Sequence, residues 1–124
     1  MTTRRALIAV IDDDPSVRES LPDLLAEFGF APRTFSSADE FLASPDFSGI
    51  ECVILDVTMP GMSGPDLQRR LKTLRPQLPV IFITAEKDER LWTRLLHQGA
   101  VACLLKPFSD EALQDALGAA LPRL

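Results

Sequence analysis

The sequence predicts an α/β three-layer sandwich, a five-stranded parallel sheet with five helices, and three observations lead there. Short β-type runs alternate with amphipathic segments along the whole chain. Four of the five runs lack polar alternation, as strands buried on both faces of a parallel sheet do. A length of 124 residues, 46% of them hydrophobic, suits one domain with a real core, so residues 1–124 are read as a single unit. Parallel neighbours are joined by right-handed crossovers, which place helices on both faces.

The expected strands are ALIAVI (6–11), APRTFS (31–36), ECVILD (51–56), PVIFIT (79–84) and ACLL (102–105). The second, with Pro32 and Arg33, reads as a sheet edge. Between the first two, Val17, Leu21, Leu24, Leu25 and Phe28 form an apolar stripe at helical spacing, with Asp14 as N-cap, Pro15 at the first helical position and Gly29 beyond the end. Pro22 lies inside that segment and predicts a kink or a shifted start. SADEFLA opens with Ser37 and carries Glu40 three residues on, a capping-box spacing. Leu67, Leu71 and Leu74 give a third stripe. Leu91, Trp92, Leu95 and Leu96 give a fourth, closed by Gly99. Leu113, Leu117 and Leu121 mark the last, with Ser109 as its cap.

Composition excludes several function classes. Eighteen acidic against thirteen basic residues leave a net charge of −5, the wrong sign for gripping a phosphate backbone, so no nucleic-acid contact by this domain is expected. The apolar run after the basic start is six residues long, too short for a signal peptide, and no stretch approaches the ~18 apolar residues of a membrane helix. A cytoplasmic location without membrane contact is the expectation. Cys52 and Cys103 sit far apart inside apolar runs, which predicts buried, reduced, structural thiols. His97, near the end of the fourth helical segment, suits the negative end of that helix dipole.

In parallel sheets of this class ligands bind beyond the carboxyl ends of the strands. Asp12, Asp13 and Asp14 follow the first strand, Asp56 ends the third, Thr84 ends the fourth and Lys106 follows the fifth. Two carboxylates about 4 Å apart repel by roughly 4 kcal/mol in a half-screened site, so the aspartate run calls for a counter-charge. Clustered carboxylates without a basic neighbour in their own loops form a hard-oxygen site suited to Mg²⁺, which takes one or two protein carboxylates plus phosphate oxygens. A cation there would hold a phosphoryl group against Asp56, and carboxylates are competent nucleophiles that form aspartyl-phosphate. Lys106 would neutralise a second phosphoryl oxygen and Thr84 hydrogen-bond a third.

With those residues in place the chain resembles the receiver domain of bacterial two-component response regulators. The likeness runs from AVIDDDPSVRESL through VILDVTMPGMSGPDL and PVIFITA to GAVACLLKPFS. It implies a flavodoxin-like sheet of order 2-1-3-4-5. It also implies that Asp56 accepts phosphate from a histidine of a sensor kinase or histidine phosphotransfer protein. Mg²⁺ would be bound by Asp13 directly, by Asp12 mainly through water, by Asp56 and by the main-chain carbonyl of Thr58. Lys106 would contact the phosphoryl group, its bond to Pro107 would be cis, and Thr84 would swing inward on activation. The surface of the fourth helix, fifth strand and fifth helix would then meet an output domain, a partner or a second copy in a phosphorylation-dependent homodimer. Trp92 lies on that fourth helix. Thr58 and Glu86 fall at positions that tune phosphate lifetime. One position departs from the pattern. Three residues before the lysine the family usually carries Tyr or Phe, and here stands Cys103, so the resemblance does not extend to an aromatic switch.

Two other classes compete. An aspartate-nucleophile phosphohydrolase places a second Asp two residues after the nucleophile as acid or base, and that position here is Thr58. A receiver-shaped interaction module without phosphorylation predicts a missing acidic, Asp, Thr or Lys position, and all are present. The expectation is therefore a phosphoacceptor domain that catalyses only its own phosphorylation and dephosphorylation, ending near the fifth helix with or without an output domain beyond.

Overall fold

The computed structural model describes residues 5–122. Its elements are β1 (Leu7–Ile11), α1 (Pro15–Glu27), β2 (Ala31–Phe35), α2 (Ala38–Leu42), a single 3-10 turn (Phe47–Gly49), β3 (Ile50–Asp56), α3 (Gly64–Leu74), β4 (Val80–Thr84), α4 (Glu89–His97), β5 (Ala102–Leu105) and α5 (Asp110–Ala120). The strands form one parallel sheet of order β2-β1-β3-β4-β5. The chain runs outward from β1 to β2, then returns past β1 to β3, so the direction of winding reverses between β1 and β3.

Strand alternation sorts apolar side chains between two cores, although both sets are hydrophobic. Ala9, Ile11, Val53, Leu55 and Phe82 pack with Phe41, Leu67, Leu71 and Leu95, joining α2, α3 and α4 to one face. Ile8, Val10, Ile54, Ile81 and Ile83 pack with Leu21, Leu25, Leu113 and Leu117, joining α1 and α5 to the other. Each Val, Leu, Ile or Phe side chain that moves from water into these layers contributes about 1.5–3 kcal/mol.

Helix starts follow the sequence reading with one exchange. The Asp14 carboxylate accepts from Ser16 N at 2.9 Å, Ser37 Oγ from Glu40 N at 3.1 Å and Ser109 Oγ from Ala112 N at 3.0 Å. Glu40 does not close a box on Ser37, because its carboxylate takes the Ser36 hydroxyl at 2.7 Å. The reciprocal box forms instead at α3, between Ser63 and Asp66.

Some expectations need correction. Helix α1 starts at Pro15, so Pro22 does not shift its start, and the helix continues through that residue. Leu74 and Leu96 are 49% and 45% exposed, so the α3 and α4 stripes are narrower than their spacing suggests. Leu121 lies just past α5 as its C-cap. The last strand is the second edge of the sheet and only half-buried, since among the described residues no strand pairs beyond it. Cys52 is buried, whereas Cys103 on that edge is half-buried. Burial pushes the Cys52 thiol up to about 12 and the Cys103 thiol up to about 11, so both stay protonated near neutrality.

Candidate functional site

Parallel register brings the carboxyl ends of the strands to one edge. Ile11 lies opposite both Phe35 and Leu55, Asp56 opposite Ile83 and Thr84 opposite Leu105. Residues that follow β1, end β3 and β4, and follow β5 therefore converge on the point where winding reverses.

Asp12, Asp13 and Asp56 each offer a carboxylate oxygen, and these oxygens lie within 4.8 Å of one another. Asp12 is fully buried and Asp56 nearly so, while Asp13 stays open to solvent. Lys106 reaches into the cluster, with Nζ 2.8 Å from Asp12 Oδ2 and 3.9 Å from Asp56 Oδ1. The ammonium is thus held by the buried carboxylate of Asp12, just past β1, and stands beside Asp56. Its peptide bond to Pro107 is cis.

The loop after β1 is fixed from several sides. Asp12 N donates to Phe35 O at 3.1 Å, Asp14 N donates to Asp12 Oδ1 at 2.9 Å, and Arg18 Nη1 donates to Asp12 O at 2.9 Å. Sequence reasoning missed Arg18. A charged side chain one turn into an exposed helix face reads as solvated, and its bond to a backbone carbonyl leaves no trace in spacing. Asp14 bonds Ser16 through both the hydroxyl and the amide, which holds its carboxyl below the usual range.

Thr58 lies at the opposite rim, where its N–H donates to Asp56 Oδ1 at 3.4 Å. Thr84 is buried at the end of β4, with its hydroxyl engaged by the Glu86 loop: Glu86 N donates to Oγ1 at 3.1 Å. All the residues singled out for the site therefore lie on this edge. Asp12, Asp13, Asp56 and Lys106 form the tight group, Thr58 touches it through its amide, and Thr84 is tied to its own loop.

Burial, and then the neighbouring charge of Asp12, push the Asp56 carboxyl up to about 7, against the opposing pull of Lys106 and the Thr58 amide. Three carboxylate oxygens within 4.8 Å of one another, with Lys106 beside two of them, are a donor set of the hard-oxygen kind that suits a divalent cation.

Fold and site together define a doubly wound α/β domain with an acidic cluster at the carboxyl edge of its sheet. The chain belongs to the response regulator receiver domain family, whose model matches residues 8–118, and it is thus a receiver domain of two-component systems. Response regulator protein TodT of Pseudomonas putida is 43% identical over 121 residues, which cover 98% of this chain and 53% of TodT. Transcriptional regulatory protein FixJ of Bradyrhizobium diazoefficiens is 36% identical over 119 residues, covering 96% of this chain and 58% of FixJ. The crystal structure of FixJ-N superposes with a TM-score of 0.84 at 34% identity, over 98% of both chains. The chain spans about half the length of the curated relatives it matches. Among the described residues, no helix is long and apolar enough to cross a membrane.

Proposed function

We propose that residues 1–124 form one cytoplasmic receiver unit in which Asp56 takes a phosphoryl group from a phosphohistidine of a partner kinase or phosphotransfer protein. The observation that carries this reading is the meeting of Asp12, Asp13 and Asp56 with Lys106 at the reversal of the sheet. Asp56 Oδ attacks phosphorus in line with the histidine nitrogen, the O–P bond forms as the N–P bond breaks, and the leaving imidazole takes up a proton. Mg²⁺ held by Asp13, Asp56, the Thr58 carbonyl and, through water, Asp12 would neutralise phosphoryl charge. Lys106 neutralises a further oxygen, and the Thr84 hydroxyl turns from Glu86 to hydrogen-bond the phosphoryl group. A groove of about 430 Å³ beside Lys106, walled by Val17, Leu21, Leu24 and Phe108, gives the histidine-bearing helix an apolar seat next to the acceptor.

Movement of Thr84 draws on the loop that starts α4 and so biases the surface of α4, β5 and α5. That surface presents Leu96 and Leu105, 45% and 37% exposed, and the half-buried Trp92 lies on the same helix as Leu96, chemistry suited to an output domain or a second copy of this chain. Cys103 offers no ring to turn inward there.

The test is incubation with Mg²⁺ and acetyl phosphate, followed by intact-mass measurement. The expected result is one added phosphoryl group per chain, labile in base, absent without Mg²⁺ and absent in Asp56→Asn. An unchanged mass, or equal uptake by Asp56→Asn, contradicts the reading. Turnover of many phosphate monoesters per chain would support the phosphohydrolase instead.

A further inference from the structure

Helix α4 is attached to the molecule very unevenly. Leu95 is its one buried residue, and every residue from Ala85 to Arg90, leading into it and through its start, is exposed. At the far end the chain is tightly held. Gln98 N donates to Arg94 O, Gly99 N to Leu96 O and Ala100 N to Leu95 O, at 3.0, 3.0 and 3.1 Å, around a glycine with φ of +107°. The Leu95 carbonyl takes a second bond from outside the helix, because Nε2 of Gln68, 3% exposed on α3, donates to it at 3.2 Å.

That contact is a buried polar bond between two helices that otherwise meet the same core through Leu67, Leu71, Leu91 and Leu95. Gln68 Oε1 is buried with no partner, so the amide is kept there although half of its hydrogen-bonding capacity goes unused. A leucine or methionine would fill the space without that cost. Gln68 also lines a cavity of about 120 Å³ between the ends of α3 and α4, with Leu71, Lys72, Val80, Gln98 and Gly99. Close-packed contacts jam, whereas a directional bond beside free volume lets one element rotate on another.

We propose that Gln68 is a positioning residue that fixes the pivot of α4, so that a pull at Thr84 tilts the helix about Leu95 rather than sliding it. The displacement grows from Leu95 toward Glu89 and carries Trp92 with it, while the Gln98–Ala100 turn stays in place. This deepens the proposed switching and rests on it for the response to phosphate. The resting anchor stands independently of that reading.

Amide hydrogen exchange of the whole chain, with and without Mg²⁺ and beryllofluoride as phosphoryl mimic, tests both halves. In the wild type the mimic is expected to change exchange at Leu91 and Trp92 at least about fivefold and at Gln98, Gly99 and Ala100 less than about twofold. In resting Gln68→Met, which keeps the volume and removes the amide, exchange at Gln98, Gly99 and Ala100 is expected to rise at least about fivefold, with Asp56 still phosphorylated. Gln68→Leu should behave alike. Equal responses at both ends of wild-type α4, or wild-type exchange at Ala100 in the folded variants, overturns the proposal. A mimic that alters no amide between Thr84 and Trp92 removes the switching reading, and the resting comparison still decides the anchor.

Discussion

Under the proposed function Asp56 is subject to two opposed demands, since it must be buried among acids to meet a cation and must be ionised to attack phosphorus. Its folded pKa of about 7 lies above the ordinary 3.8, so between those values the folded chain keeps a proton that the unfolded chain has released. Stability of the metal-free protein from this group therefore falls as pH rises from about 4 through 7, and the full penalty persists above. Asp56→Asn lacks that penalty. In urea titrations without divalent cations the variant is expected to match the wild type near pH 4 and to be more stable by about 1–2 kcal/mol at pH 8. A difference that does not change with pH contradicts this account. At this scale the acids were legible, because a charged run directly after an apolar strand has few structural roles. Arg18 and Gln68 were not, since each donates to a backbone carbonyl outside its own helix, and one polar side chain on a helix face carries no periodic signal.

The elements hold the acceptor through close contact as well as through pairing. Gly64 opens α3 directly against the end of β3, where its N–H donates to Val57 O at 3.0 Å. A Cβ there would lie 2.3 Å from Asp56 O and 3.0 Å from both Phe82 Cε1 and Val57 Cα. Two of these neighbours are backbone and cannot rotate away. Gly64→Ala is expected to lower unfolding free energy by about 3 kcal/mol or more and to slow phosphorylation of whatever remains folded, measured by urea denaturation and phosphoryl uptake. A loss below about 1 kcal/mol contradicts the tight seating of α3. The strands were readable to within a residue because unbroken apolar runs between turn residues have one economical home in a parallel sheet. Helix ends were less so: the spacing of Ser37 and Glu40 matches a capping box, yet Ser36 competes for the same carboxylate, and the box forms at Ser63 and Asp66. Leu74 and Leu96 fit the helical period but stand where the sheet no longer covers them.

For the whole molecule, alternation of strands and helices specifies the layers but not the strand order, since periodicity is the same for any parallel arrangement. The order 2-1-3-4-5 came from resemblance to a family, and with it the adjacency of β1 and β3 that makes separate aspartates into one site. Topology is thus the step that gathers four unremarkable strand ends into one acidic edge with a lysine beside it. Acids stand at one edge, and Leu96 and Leu105 are exposed on α4 and β5 at the side, the surface that the proposed switching would couple to that edge. The most direct measurement is a crystal structure of the chain with Mg²⁺ and beryllofluoride. It should show one ion about 2.0–2.1 Å from oxygens of Asp13 and Asp56, with the fluoride group on Asp56 and touched by Lys106. An ion bound away from Asp56, or the mimic carried on a different residue, contradicts the account.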